Sequence, residues 1–184
     1  MQSRIMLGLG LLAVLGATVA AQGDDAQALA EAIDGLKTAV KEKQDPDQIH
    51  YVKILGEKWT AADAKQRKEI FKLVRGNLKS RNPDVKDATV EALSMMNGGK
   101  RDRDADMATK LLEAELNGKA AKDSETYMAA VMKSMGKLQR PKGAASLIKQ
   151  LKKGSDQIVA AAAIVALAAA LSVAGAGSIN AQSA

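Results

Sequence analysis

The stretch Asn82–Leu93, with the sequence NPDVKDATVEAL, decides the fold of this chain. It begins with a residue that can cap a helix, and the proline that follows is well tolerated in a first helical turn. Its apolar residues then recur at helical spacing, and it ends in the small–large pair Ala92-Leu93. The stretch therefore predicts an amphipathic helix that starts after Asn82 and packs through one face.

The composition favours helices in the rest of the chain as well. Of 184 residues, 47% are hydrophobic but only 2% are aromatic. Ala, Leu, Met, Lys and Glu are abundant, and these are the better helix formers. A β-sandwich or an α/β enzyme draws on more aromatic and β-branched residues. We therefore expect an all-α fold in a single domain.

The N-terminus has the pattern of a secretory signal peptide. One basic residue, Arg4, precedes an apolar run from Ile5 to Ala17, and small residues follow up to Ala21. We expect residues 1–21 to be removed and the mature protein to be exported, to the periplasm or out of the cell. A retained signal anchor is the alternative, although the run is short for a membrane span.

Charge and cysteine content limit the possible functions. Removal of residues 1–21 takes away only one basic residue and leaves a formal net charge of +5. This mild basic excess favours weak attraction to anionic surfaces. The chain has no cysteine, which excludes disulfides and thiol nucleophiles, and its single histidine, His50, cannot form a multi-histidine metal site. No cofactor is expected.

Short polar breaks separate the predicted helices. The predicted helix starts are Asp24 or Asp25, Asp45 before Pro46, Thr60 with Asp63 as its partner, Asn82, Asp104, Ser124, Arg140-Pro141, and Ser155 or Asp156. The helix that starts at Asp104 is expected to end at Leu116. The helix after Pro141 is expected to turn Ala144, Leu147, Ile148 and Leu151 inward.

A repeated pattern runs through these helices. The small–large pair occurs as Ile54-Leu55, Ala92-Leu93, Ser134-Met135 and Ala166-Leu167, at spacings of 38, 42 and 32 residues. Between the pairs lies a second helix with a leucine motif: Leu73…Leu78, Leu111-Leu112…Leu116 and Leu147-Ile148…Leu151. A two-helix unit cannot bury its apolar face alone, so such units stack on one another.

With this pattern the chain resembles HEAT repeats and the bilin-lyase-type HEAT-like repeats. Residues 82–93 look like the first helix of a unit and Leu111–Leu116 like part of its second, and the resemblance covers about residues 24–171. It implies a short right-handed α-α superhelix of three to four helix pairs over residues 22–174. Separately, residues 175–184 are predicted to form a disordered tail. It also implies a binding scaffold. Bilin-lyase members handle tetrapyrroles, but no pattern here indicates a pigment site.

One acidic cluster has the spacing of a calcium loop. Asp102, Asp104, Asp106 and Glu113 occupy positions 1, 3, 5 and 12 of an EF-hand. The sixth position should be glycine but is Met107, and Arg103 places a positive charge inside the loop. The competing interpretation, which we prefer, is a solvated connector in which Asp104 caps the next helix. We therefore expect no metal site.

Basic residues gather on the helix predicted over Ala62–Lys79. They are Lys65, Arg67, Lys68, Lys72, Arg75 and Lys79. A solvated helix face is the first interpretation, and contact with an anionic partner such as polysaccharide, phospholipid headgroups or an acidic protein is the second. Nucleic acid is not expected, because the protein is exported and aromatic residues for base stacking are nearly absent.

The segment Ile158–Gly177 contains no charged residue and is long enough to cross a bilayer. It can be a last packed helix, a membrane anchor or a surface for self-association. The lysines that precede it, with none after it, invert the usual positive-inside arrangement for an exported domain. This favours the packed helix.

Together these features predict an exported, non-enzymatic scaffold module that binds a partner protein. No acid–base pair or nucleophile arrangement stands out in the sequence. The alternative is a membrane-tethered periplasmic assembly factor anchored by the apolar C-terminal helix.

Overall fold

The computed structural model describes the backbone of residues 6–97, 103–152 and 159–169, and the side chains from residue 24 onward. Every regular element in these residues is helical, which confirms the all-α prediction. The helices are α1 (Met6–Glu42), α2 (Asp45–Glu57), a 3-10 turn (Trp59–Ala61), α3 (Ala64–Asn77), α4 (Pro83–Met95), α5 (Arg103–Leu116), α6 (Lys119–Asp123), α7 (Glu125–Leu138), α8 (Pro141–Leu151) and α9 (159–169).

Capping residues set several helix starts as the sequence predicts. The Asn82 side chain accepts a hydrogen bond from the backbone N–H of Asp84 at 2.9 Å, and the Ser124 hydroxyl accepts one from that of Tyr127 at 3.2 Å. The start of α3 differs from the prediction, because Thr60 lies in the 3-10 turn and Asp63 is the cap. Asp63 forms a reciprocal capping box with Gln66.

Other acidic residues predicted as caps lie inside helices or in their first turn. Helix α1 runs without a break through Asp24 and Asp25, and the Asp25 carboxylate pairs with Lys58 at 2.5 Å. Helix α2 begins one residue early, with Gln44 as its cap and Asp45 in its first turn. Asp104 is the second residue of α5. Asp25 and Asp104 each bond a cation from another part of the chain, and these tertiary contacts replace the local capping that their sequence positions indicate.

Two further predictions were incomplete or wrong. The short helix α6 was missed, although Gly118 precedes it and Ala121 is fully buried. Its five residues are too few to show a helical period. Ile148 was expected in the core but is 40% exposed, because α8 turns Leu147 inward instead.

The helices form two rows, defined by their contacts. In the first row α2 packs against α4, α4 packs against α7, and Gly136 of α7 lies against Ala166 of α9. In the second row α1 contacts α3, Arg67 of α3 pairs with Asp104 of α5, and α5 contacts α8. We therefore call α2, α4, α7 and α9 the first row and α1, α3, α5 and α8 the second row.

The first row is closely packed at the small–large pairs. The large members Leu55, Leu93 and Met135 are fully buried, whereas Leu167 in α9 is only partly buried. A Cβ atom on Gly56 would lie 2.9 Å from the Cα atom of Ala92. A Cβ atom on Gly136 would lie only 2.5 Å from the Cα atom of Ala166. Small residues beside the pairs thus let successive first-row helices approach through their backbones.

Several predictions fall wholly or partly on residues that the structure does not describe. The caps at Ser155 or Asp156, the tail 175–184 and nine of the 20 residues of Ile158–Gly177 lie outside the described residues, as does Asp102. Helix α1 continues across the predicted cleavage position after Ala21 in the full chain. Among the residues that the structure describes, none of the helices is both long and apolar enough to span a membrane.

Candidate binding surfaces

The basic residues of α3 form a stripe on the side of the helix that faces away from the core. Lys65, Lys68, Lys72 and Arg75 follow one another at i, i+3, i+7 and i+10, and all four are exposed. Lys79, just beyond the helix, is also exposed. The opposite side of α3 buries Ile70, Phe71 and Val74.

Arg67, predicted as a member of this group, does not belong to the stripe. Its Nη1 donates to the Asp104 carboxylate at 3.0 Å, and its Nε donates to the carbonyl oxygen of Ala62 at 2.9 Å. Its guanidinium group also lies 5.3 Å from the centre of the Trp59 ring. These contacts hold Arg67 between α3 and α5, so it serves packing between helices.

Three of the four carboxylates considered for calcium, Asp104, Asp106 and Glu113, lie along α5, where they bond to other parts of the chain. Asp106 accepts from Arg140 Nε at 2.7 Å, and this bond holds the pKa of Asp106 below its ordinary value. Glu113 accepts from the Ser146 hydroxyl at 2.7 Å, and Asp104 accepts from Arg67. In the described part of the chain, no three carboxylate, imidazole or thiol groups are placed to hold a metal ion.

Further exposed cations lie on α5 and α8, which follow α3 in the second row. We call the exposed cations of these helices and their ends the basic face: Lys65, Lys68, Lys72, Arg75, Lys79, Arg103, Lys110, Lys142, Lys149 and Lys152. The acidic residues of α3 and α5 are only partly exposed, and α8 has none. Besides the three carboxylates above, Glu69 pairs with Lys37 at 2.6 Å and Glu115 accepts from the Tyr127 hydroxyl at 2.9 Å.

The basic face is larger than the group predicted from the sequence, which comprised only the basic residues of α3 and Lys79. A signal was present in the sequence, because Arg103 and Lys110, and likewise Lys142 and Lys149, are spaced seven residues apart on one side of their helices. Its significance depended on which helices become neighbours. The bonds of Asp104 to Arg67 and of Asp106 to Arg140 show that α5 lies beside α3 and the start of α8.

The first row carries a groove of about 370 Å³ across α2, α4 and α7. Three exposed carboxylates of α4, at i, i+3 and i+7, line it: Asp84, Asp87 and Glu91. Lys53 of α2 lines one side, and Lys133 and Lys137 of α7 line the other. Local sequence pattern does not predict this groove, because its residues come from helices that are distant in the sequence.

The carboxylates and lysines that line the groove do not form ion pairs with one another. In the described part of the chain, none of the three carboxylates or three lysines forms an ion pair. Partial burial raises the pKa of Asp87, and the neighbouring carboxylate of Asp84 raises it further. The groove therefore holds like charges close together along α4, with cations to either side.

A third surface lies where α9 meets α7. It is a cleft of about 390 Å³ lined mainly by alanines and Val165. Ile164 and Val165 are 58% and 65% exposed, whereas Val159, Ala163 and Ala166 of the same helix are buried. Helix α9 thus packs through one side and presents apolar side chains on another.

Comparison with known proteins gives no family for this chain, since it matches no protein-family model, no curated protein and no solved structure.

Proposed function

We propose that this chain is an exported, non-catalytic scaffold module built of HEAT-like helix pairs, and that it binds a partner protein through the groove across α2, α4 and α7. The observation that carries the proposal is the row of carboxylates on α4 between lysines of α2 and α7, which form no ion pair with any residue that the structure describes. A partner segment that carries a basic residue would pair with these carboxylates when it lies in the groove.

Repeat-like contacts support the HEAT-like part of the proposal. Asn82, which caps α4, donates from Nδ2 to Asp45 in the first turn of α2 at 2.9 Å, so the starts of two successive first-row helices are joined. Near the helix ends, Gly56 lies against Ala92 and Gly136 against Ala166. Equivalent positions of different units therefore make equivalent contacts, as stacked two-helix units require.

Solution scattering tests the stacked arrangement. A compact globule of the length of residues 22–184 has a radius of gyration of about 15 Å. A stack of helix pairs is more elongated, so we expect a larger value and an asymmetric distance distribution. A scattering curve that fits a sphere would argue against the HEAT-like arrangement.

Site-specific crosslinking tests the groove as a binding site. A photoreactive amino acid replaces Lys53, which is exposed in the groove, or Lys41, which is exposed on α1. We expect a crosslinked protein from the exported fraction with the probe at position 53 and none with the probe at 41. Equal yields at both positions would contradict a specific groove.

A neutralised variant provides the second part of this test. Asp84→Asn/Asp87→Asn/Glu91→Gln removes the negative charges of α4, and the matched control Asp24→Asn/Glu31→Gln/Glu42→Gln removes exposed charges of α1. We expect the crosslink yield at position 53 to fall at least about tenfold in the first variant only, because the groove loses its charge complementarity. An unchanged yield would exclude the carboxylates as the binding determinant.

The alternative function, a tethered assembly factor, depends on the apolar C-terminal helix. The packing of Val159, Ala163 and Ala166 in the core favours a helix that belongs to the domain. Deletion of residues 158–184 would remove this packing, so the substitution Ile164→Lys/Val165→Lys is the cleaner test. If the protein is tethered through this helix, the substitution should release it from the membrane fraction.

A further inference from the structure

We propose that the basic face on α3, α5 and α8 is a docking surface for an anionic lipid bilayer. The proposal concerns the second row, whereas the proposed protein-binding groove lies on the first. The two proposals therefore succeed or fail independently.

The first argument is the arrangement of charge. The carboxylates of α5 bond to Arg67 of α3, Tyr127 of α7 and Arg140 at the start of α8, so part of their negative charge is compensated within the protein. Cations dominate the exposed charge of the described residues of α3, α5 and α8, although the Asp106 side chain stays 48% exposed beside Arg140 and the exposed Asp63 caps α3. An anionic bilayer attracts such a surface at every point and requires no defined pairing geometry.

The second argument is the kind of cation and the absence of aromatic anchors. Lysines outnumber arginines on the basic face, and protein interfaces are depleted in lysine but enriched in Arg, Tyr and Trp. The tyrosines, tryptophan and phenylalanine of the chain are buried or only partly exposed, away from this face. Lysine-rich surfaces with long flexible side chains suit a diffuse layer of lipid headgroups better than a protein partner.

The third argument is the position of two exposed apolar side chains. Met107 lies between Arg103 and Lys110 on α5, and Ile148 precedes Lys149 on α8, and each apolar side chain is 40% exposed. Single apolar side chains among lysines can enter the region between headgroups and acyl chains while the lysines contact the headgroups. An acidic polypeptide or polysaccharide offers no such apolar layer.

Vesicle flotation of the full chain tests the proposal. We expect binding to vesicles that contain about one-third phosphatidylglycerol in phosphatidylcholine, and release as NaCl is raised to about 0.5 M. Vesicles of phosphatidylcholine alone should bind little. Equal binding to both vesicle types would overturn the proposal, because attachment would not depend on lipid charge.

Two matched variants separate the basic face from net charge. Lys72→Glu/Lys110→Glu/Lys149→Glu reverses one exposed cation on each of the three helices. Lys53→Glu/Lys133→Glu/Lys137→Glu makes the same change in charge beside the groove. At roughly fivefold per removed cation, the first variant should bind anionic vesicles at least about 100-fold more weakly. The control should retain most of its binding, and an equal loss in both would overturn the proposal.

An environment-sensitive probe reports which face meets the lipid. Because the chain has no cysteine, a single Met107→Cys, Ile148→Cys or Lys53→Cys substitution gives a unique labelling position. We expect a blue shift of a fluorescent label at 107 and 148 on addition of anionic vesicles, and none at 53. No shift at 107 and 148, or binding to soluble polyglutamate without binding to vesicles, would assign the face to another partner.

Discussion

Carboxylates are placed differently on the two rows of helices. On the second row, Asp104 and Asp106 lie at the sides of α5 and pair with arginines of α3 and the start of α8. On the first row, Asp84, Asp87 and Glu91 point into a groove and form no ion pair among the described residues. The paired acids of the second row join neighbouring helices, and the exposed charge of that row is mainly positive. The acids of the first-row groove keep their negative charge available to a partner.

This difference has an energetic consequence for Asp106 and Asp87. An acid stabilised by an arginine contributes to folding when it is ionised, whereas an acid that is partly buried beside another acid opposes folding when it is ionised. The pKa of Asp106 is lowered by Arg140, and the pKa of Asp87 is raised by burial and by Asp84. Substitutions at these two positions should therefore change stability in opposite directions.

The largest expected effect comes from the core that both rows share. Leu93→Ala removes a fully buried side chain at the centre of the first row and should lower the free energy of unfolding by about 2–5 kcal/mol. Urea denaturation measures this change. The exposed Ile148→Ala is the control and should stay within about 0.5 kcal/mol. A small effect of Leu93→Ala would mean that the rows do not share one core.

Glycine substitutions compare the packing of the rows directly. Gly136→Ala places a Cβ atom 2.5 Å from the Cα atom of Ala166 and should destabilise the protein by about 1–3 kcal/mol. Gly76→Ala in α3 meets nothing within 4 Å and should stabilise by about 0.5–1 kcal/mol, because alanine is the better helix former. Thermal denaturation of both variants measures the two changes in stability. Changes of the same sign would contradict the difference in packing.

Asp106→Asn tests the lateral pairs of the second row. The lowered pKa of Asp106 means that its stabilisation is present above its ordinary pKa of 3.8 and is lost as the pH falls through the folded-state pKa. Because the Asp106 side chain is 48% exposed and solvent screens the pair, we expect a loss of less than about 1 kcal/mol at pH 7. Urea denaturation at a series of pH values below 7 should show the free energies of unfolding of the two proteins becoming equal in acid. A constant difference at all pH values would exclude the ion pair as its source.

Asp87→Asn should give the smallest effect, with the opposite sign. The raised pKa of Asp87 means that its penalty is present at neutral pH and disappears as the pH falls below 3.8, where the folded and unfolded states are both protonated. We expect the variant to be more stable at pH 7 by a few tenths of a kcal/mol after allowance for solvent screening. Asp47→Asn, on the exposed surface of α2, is the control. Destabilisation by Asp87→Asn would contradict our description of the groove.

The sequence predicts the individual helices more accurately than it predicts which helices lie beside one another. The cap at Asn82 and the buried stripe of Val52, Leu55 and Trp59 depend on local spacing, which a helix converts directly into one buried side. Asp25 and Asp104 were wrongly interpreted as caps, because their partners Lys58 and Arg67 lie 33 and 37 residues away. Local pattern contains no information on such pairs.

The sequence by itself determined the all-α class, most helix boundaries and the main apolar sides of the helices, because these follow from helical periodicity and from residues within one turn. The tertiary structure decided which charges pair and which remain outside. Arg67 lies between α3 and α5, Ile148 is exposed, and three distant helices form one groove. The physical reason is that surface charge depends on which helices become neighbours, and packing across the whole chain sets that choice.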